Sequence, residues 1–282
     1  MHRLFQFFCL IVSAIIVAPA LADDKNKPLE IGVVPYVSAR ALVASYEPMR
    51  NYLEQTLGRP VKIYTAPGFQ AFYQNAEKGD YDLVIIPSHF ARLLQKEQKF
   101  TPLLRYSAGG RGLIMTALNS SIKTAQDLRG KAIALPDRLS LASIVCMTNL
   151  REQGLQPGTD FQLLDVPSFA SAILAVQKGE AQAAVSAPGA LAQMPKELRE
   201  SVRPVVDTGD YINLIFLTHP RLEKESAMQI SKALLKFGNG TSEGKQFFSS
   251  TGFGHFVSAT NRDMNSLDRY VAETKRLLGE KP

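Results

Sequence analysis

Four times in this chain an apolar strand ends at a proline, passes through a serine and enters a helical segment. The four turns are Val33-Val34-Pro35-Tyr36-Val37-Ser38, Ile85-Ile86-Pro87-Ser88-His89, Leu135-Pro136-Asp137-Arg138-Leu139-Ser140 and Val166-Pro167-Ser168-Phe169. The free N–H groups and dipole at each helix start make such a turn a ready anion site. The third turn, residues 136 to 145, carries the most information. It follows the short strand Ala132 to Leu135 and opens a helix. Four such turns facing one cleft would form a binding site built mostly of backbone and hydroxyl groups.

The segments around these turns alternate between strand and helix from residue 29 to about 218. Strands are predicted over Leu29 to Pro35, Val61 to Ala66, Leu83 to Pro87, Lys131 to Leu135, Phe161 to Val166 and Ala181 to Ser186. Helices are predicted over Ser38 to Leu57, Phe69 to Lys78, Ser140 to Gln153 and Ser168 to Lys178, each stopped by a glycine one residue beyond. A helix is also expected after the Thr124-Ala125-Gln126-Asp127 cap signal. The tail reads as three helices, Glu223 to Phe237, Ser242 to Ser249 and Asn265 to Leu278. Alternation of this kind predicts an α/β fold with parallel sheets flanked by helices. Two longer strands, Gly112 to Leu118 and Tyr211 to Thr218, stand at changes of region and read as strand crossovers between two lobes. The expected division is lobe one over 27–111 plus 212–282 and lobe two over 112–211. Ligands in open α/β sheets bind beyond the carboxyl ends of strands, where all four Pro/Ser turns lie.

Residues 1–22 stand outside this pattern. A short basic start, an apolar run from Leu4 to Val17 and a small-x-small site at Ala20-Leu21-Ala22 read as a secretory signal peptide. The run is shorter than the ~20 apolar residues that a spanning helix needs. A periplasmic location follows. Cys146 is then the one cysteine left, so no intrachain disulfide is expected, and the residue reads as apolar packing. Lys and Arg exceed Asp and Glu by six, but they are scattered, without the clustered patch of a nucleic-acid face. Such a field also suits a small anion. No catalytic elbow, zinc-binding helix motif or paired-cysteine spacing is present, so the sequence points to no enzyme, metal or cofactor.

Several pieces together resemble a known family. They are Ile31-Gly32-Val33-Val34-Pro35, Tyr46-Glu47-Pro48-Met49, Tyr52-Leu53-Glu54, Leu57-Gly58-Arg59-Pro60-Val61, Gly79-Asp80-Tyr81-Asp82-Leu83, Asp127-Leu128-Arg129-Gly130-Lys131 and Ala175-Val176-Gln177-Lys178-Gly179. They are similar to elements of the periplasmic substrate-binding proteins of phosphonate, phosphite and phosphate ABC transporters. The resemblance implies a two-lobed periplasmic-binding-protein fold of type II, a small ligand held between the lobes, and delivery to a membrane permease and ATPase. The same fold also serves sensors that partner a membrane histidine kinase or chemoreceptor, and the sequence alone does not separate the two roles. A monomer is expected.

The chain departs from the family in the site itself. The family turn Asp-Pro-x-Ser-Thr-Ser-Gly corresponds to Asp137-Arg138-Leu139-Ser140-Leu141-Ala142-Ser143, which replaces two hydroxyls with Leu141 and Ala142. The family's Gly-Ser-His is Pro167-Ser168-Phe169, and an expected Asp is Gln182. These changes predict weak binding of simple aminophosphonates. Ser38, Ser88, Ser140 and Ser168 each have two readings, a plain helix cap or a ligand donor. Tyr36 is a cleft wall or a half-buried turn aromatic. His89 is a donor or titrating group in the cleft, or a satisfied surface histidine. Arg138 grips an oxyanion in place of the lost hydroxyls or is a solvated loop residue. Phe169 supplies an apolar wall.

Overall fold

The computed structural model describes residues 27–192 and 194–279. The expected signal peptide lies outside the described residues. Along the chain run β1 (Leu29–Val33), α1 (Ala39–Leu57), β2 (Val61–Tyr64), α2 (Phe69–Glu77), β3 (Leu83–Pro87), α3 (Ser88–Gln98), β4 (Thr101–Tyr106) and β5 (Gly110–Ala117). After a 3-10 turn at Ala125–Leu128 come β6 (Ala132–Leu135), α4 (Leu141–Glu152), β7 (Gln162–Asp165), α5 (Phe169–Gln177), β8 (Ala183–Ser186), α6 (Pro188–Ala192), α7 (Lys196–Arg199) and β9 (Val202–Tyr211). The chain then adds β10 (Leu214–Thr218), α8 (Lys224–Gly240), α9 (Ser242–Thr251), β11 (Phe256–Ser258), α10 (Asn261–Asn265) and α11 (Asp268–Leu278).

The strands form two sheets. The first has the order β11-β4-β10-β3-β1-β2, the second β7-β6-β8-β5-β9. In each, a parallel core (β3-β1-β2 and β7-β6-β8) meets antiparallel strands on one side. The chain leaves the first sheet between Tyr106 and Gly110 and returns between Tyr211 and Leu214. The strand expected over Tyr211 to Thr218 is therefore two strands. It breaks at Ile212-Asn213, where the Asn213 carbonyl accepts the Ser88 N–H (2.9 Å). The predicted helix after Thr124 is only a 3-10 turn, closed by a reciprocal Thr124–Asp127 capping box. The last expected helix, Asn265 to Leu278, starts at Asp268 as α11, and a short helix not expected from the sequence, α10, precedes it.

Each predicted Pro/Ser turn leads from a strand into a helix. Ser38, Ser140 and Ser168 are the caps of α1, α4 and α5, and each accepts a backbone N–H from its helix. The first two turns of α4, Leu141 to Met147, are buried on all sides. Leu141, Ile144 and Val145 join the core of the first sheet, while Ala142, Cys146, Met147 and Leu150 join that of the second. A helix apolar on all sides is one buried between layers. α4 therefore belongs to both halves of the molecule.

α11 spans the same division from outside. Asp268 pairs with Arg92 of α3 (2.9 Å) and Glu273 with Arg151 of α4 (2.9 Å). Lys275–Glu97 and Arg269–Glu152 extend the set. These surface and partly buried pairs tie α11 to both α3 and α4 and so fix its orientation across the division. Within the first half, Tyr106 stacks on Phe253 (4.2 Å between ring centres) and Phe253 meets Tyr36 edge-on (5.8 Å). An aromatic chain thus carries the first Pro/Ser turn from the core outward.

Gly112 sets how closely β5 approaches α4. A Cβ there would fall 2.8 Å from Cys146 Sγ and 3.3 Å from the Ala142 carbonyl oxygen. Gly112→Ala should cost ~1–3 kcal/mol through overpacking. Urea melts check this, and adding Cys146→Ala to the same chain should recover part of the loss.

Candidate ligand-binding site

A buried hydrogen bond crosses the seam between the two halves. His89 follows the first residue of α3 and is fully buried. Its Nε2 lies 3.1 Å from the carbonyl oxygen of Leu139, in the third Pro/Ser turn. A carbonyl only accepts, so Nε2 carries the hydrogen. Burial lowers the imidazole pKa to about 3, despite the opposing effect of that backbone hydrogen bond. His89 is therefore neutral near pH 7. It neither titrates there nor donates from Nδ1, which corrects the expectation of a titrating or anion-donating group.

A pair of hydroxyls stands directly beside Leu139. Ser140 and Ser143 are both buried. Ser140 Oγ donates to Ser143 Oγ (2.8 Å) and accepts the Ser143 N–H (3.2 Å). Ser143 Oγ reaches the Pro136 carbonyl at only 3.5 Å, at the limit of a hydrogen bond. Sequence reasoning treated the turn as having lost its hydroxyls at Leu141 and Ala142. Both of those side chains are core, and the second hydroxyl stands at Ser143 instead. A one-turn helical spacing from Ser140 was the available signal.

Among the described residues, further polar atoms at the carboxyl ends of strands are buried without a hydrogen-bond partner, Ser88 Oγ, His89 Nδ1 and Ser186 Oγ among them. Ser88 follows β3 and Ser186 ends β8, so they belong to opposite sheets. Buried polar groups left unpaired cost about 1–3 kcal/mol each. Ser186 escapes the strand-Pro-Ser pattern because its proline, Pro188, follows the serine instead of preceding it.

Ser38 and Ser168 are exposed caps. Tyr36 is half-buried against Phe253, and burial raises its phenol pKa above the usual value. Phe169 packs between the two apolar clusters of the second half. Arg138 is gripped by both carboxylate oxygens of Asp165 (2.7 Å each). It opens onto a groove of about 430 Å³ shared with Arg151, Glu273 and Arg276. Gln182 precedes β8 and accepts the Ala132 N–H (3.0 Å). Four residues at ~3.3 Å each place it roughly 13 Å from Ser186. It sits at the amino end of the strand, so its lack of charge says nothing about a ligand amine at the carboxyl end. Among the described residues no cluster of three or more His, Cys, Asp or Glu forms a metal site, and no helix is long and apolar enough to cross a membrane.

Two α/β sheets joined by two chain crossings, with serines buried at the carboxyl ends of strands in each, have the architecture of a periplasmic binding protein. The comparisons with known proteins agree. The sequence profile described as "ABC transporter, phosphonate, periplasmic substrate-binding protein" matches residues 31–264, and the chain belongs to that family. Its members are substrate-binding components of transporters, which is not a class of enzyme, and the family implies a periplasmic location, a small ligand and an ABC permease as partner. Similar folds include PhnD1 of Prochlorococcus marinus in complex with methylphosphonate. It has a TM-score of 0.75 and 14% identity, over 90% of this chain and 99% of that one. The binding component of an ABC phosphonate transporter from Pseudomonas aeruginosa gives 0.75 and 15%, over 89% and 87%. A Xanthomonas citri protein bound to chloride ion gives 0.74 and 18%, over 89% and 98%.

The depressed pKa of His89 has a measurable consequence. The unfolded state takes up a proton near pH 6.5 and the folded state only near pH 3. Stability is therefore lost as pH falls across that window, by up to ~1.4 kcal/mol per unit from this one group. In paired melts, His89→Gln should flatten the decline between pH 6 and pH 4 relative to the unsubstituted protein. Parallel slopes would mean that His89 is charged in the folded state.

Proposed function

We propose that this protein captures a small oxyanion of the phosphonate and phosphate class at the seam between its lobes, for import by an ABC transporter. The observation that carries the reading is the pair of buried hydroxyls, Ser140 and Ser143, at the start of a helix that both lobes share. In this reading the two hydroxyls and the free N–H groups of the first turn of α4 hold the oxyanion. Ser88 and Ser186 add hydroxyls from the two sides. Tyr36 and Phe169 are walls, and Ser38 and Ser168 stand at the rim. Arg138 serves the turn through Asp165 rather than the ligand. The lobes are 27–111 with 212–282 and 112–211. The two places where the chain changes sheet support that division. The protein acts as a monomer without catalytic turnover, after removal of residues 1–22.

A thermal-shift screen of phosphate, phosphite, methylphosphonate, aminoethylphosphonate and sulfate tests the reading. A ligand at 100 times its Kd should add ~2.7 kcal/mol of stability. Ser143→Ala should weaken the best ligand roughly 10- to 100-fold, the loss expected for a hydrogen bond to a charged group. Ser140→Ala should weaken it similarly and also cost about 1 kcal/mol through the lost helix cap. Wild-type affinity in both variants would place the ligand elsewhere. Recovery of a histidine kinase instead of a permease in a cross-linked pull-down would replace transport with sensing.

A further inference from the structure

The oxyanion reading of the seam leaves open which oxyanion fits, and His89 bears on that question. A serine hydroxyl turns its proton either way, so Ser88, Ser140, Ser143 and Ser186 accept or donate as the ligand requires. His89 has no such freedom. Its Nε2–H is committed to the Leu139 carbonyl at 3.1 Å, because that oxygen only accepts. A neutral imidazole carries one hydrogen, so Nδ1 is left as a pure acceptor. That atom is buried in a fully buried residue and has no partner. The hydrogen bond to Leu139 of the other lobe places the ring in the seam, beside the Ser140–Ser143 pair.

We infer that His89 is a specificity-determining residue: its Nδ1 accepts a hydrogen bond from the bound ligand, so the site selects oxyanions that keep a proton near neutral pH. Phosphate and the phosphonates carry such a P–OH group. Sulfate and the sulfonates have the same tetrahedral shape and no acidic hydrogen. Bound in the same place, a sulfonate would set an anionic oxygen against the Nδ1 lone pair. Protonating the ring would relieve the clash, but its burial opposes that. The inference rests on the proposed oxyanion function and deepens it. It assigns selection to a neutral acceptor rather than to an arginine.

Matched pairs test it by calorimetry near neutral pH: methylphosphonate against methanesulfonate, and phosphate against sulfate. The phosphorus member of each pair should bind roughly 10- to 100-fold more tightly, the factor set by one unmet buried polar group. His89→Phe keeps an aromatic ring and removes the acceptor, so the ratio should fall towards one. His89→Gln keeps a donor for Leu139 and an acceptor, and should restore a preference for phosphorus. Should the Phe variant fail to fold, the wild-type pairs and the Gln variant decide the matter. Equal affinity within each pair for the wild-type protein would overturn the inference and leave the oxyanion function standing. An unchanged ratio in a folded Phe variant would remove His89 from the selection. Binding of no member of either pair would overturn the oxyanion function, and this inference with it.

Discussion

A buried polar contact, His89 to the Leu139 carbonyl, ties the two halves together at the seam where the proposed site lies. It is worth more than an exposed bond because both partners are removed from water, and breaking one side would strand the other. It fixes the third Pro/Ser turn against the start of α3, and with it the hydroxyls of Ser140 and Ser143. It also fixes the tautomer of the imidazole. Around it, Leu141, Ile144 and Val145 carry α4 into the core of the first sheet. The apolar contact and the hydrogen bond thus act on the same short stretch of chain.

The same stretch accommodates the departures from the family motif within one packed helix start. Replacing hydroxyls by Leu141 and Ala142 extends the apolar packing of α4 on both sides. Ser143, one helical turn after Ser140, returns a hydroxyl to the cap. The mild positive charge of the chain does not concentrate here. Arg138, the cation nearest in sequence, is neutralised by Asp165. Recognition in the proposed site would rest on dipoles and hydroxyls, which discriminate by the direction of hydrogen bonds more than by net charge.

Much of the architecture was legible in the residues themselves. The Pro/Ser turns marked strand ends and helix starts, because each proline stops a strand and each serine caps a helix. The helix over Ser140 to Gln153 was legible from its serine start and its glycine stop. The rest depended on contacts distant in sequence. Nothing local in Tyr211 to Thr218 shows that its apolar run breaks at Asn213, since the Ser88 N–H that takes the Asn213 carbonyl comes from the other crossing's side of the chain. The pairing of Arg138 with Asp165, 27 residues on, was equally hidden. So was the sense of His89, which is set by a carbonyl 50 residues away. Gln182 misled for a related reason. Its place in a motif suggested a cleft position, whereas its place on β8 puts it at the opposite strand end.

The most direct test is a crystal structure of the protein with methylphosphonate bound. The account predicts a phosphonate whose oxygens lie within hydrogen-bond distance of Ser140 and Ser143, with one oxygen against His89 Nδ1. A phosphonate seated instead in the groove between Arg138, Arg151 and Arg276 would contradict it.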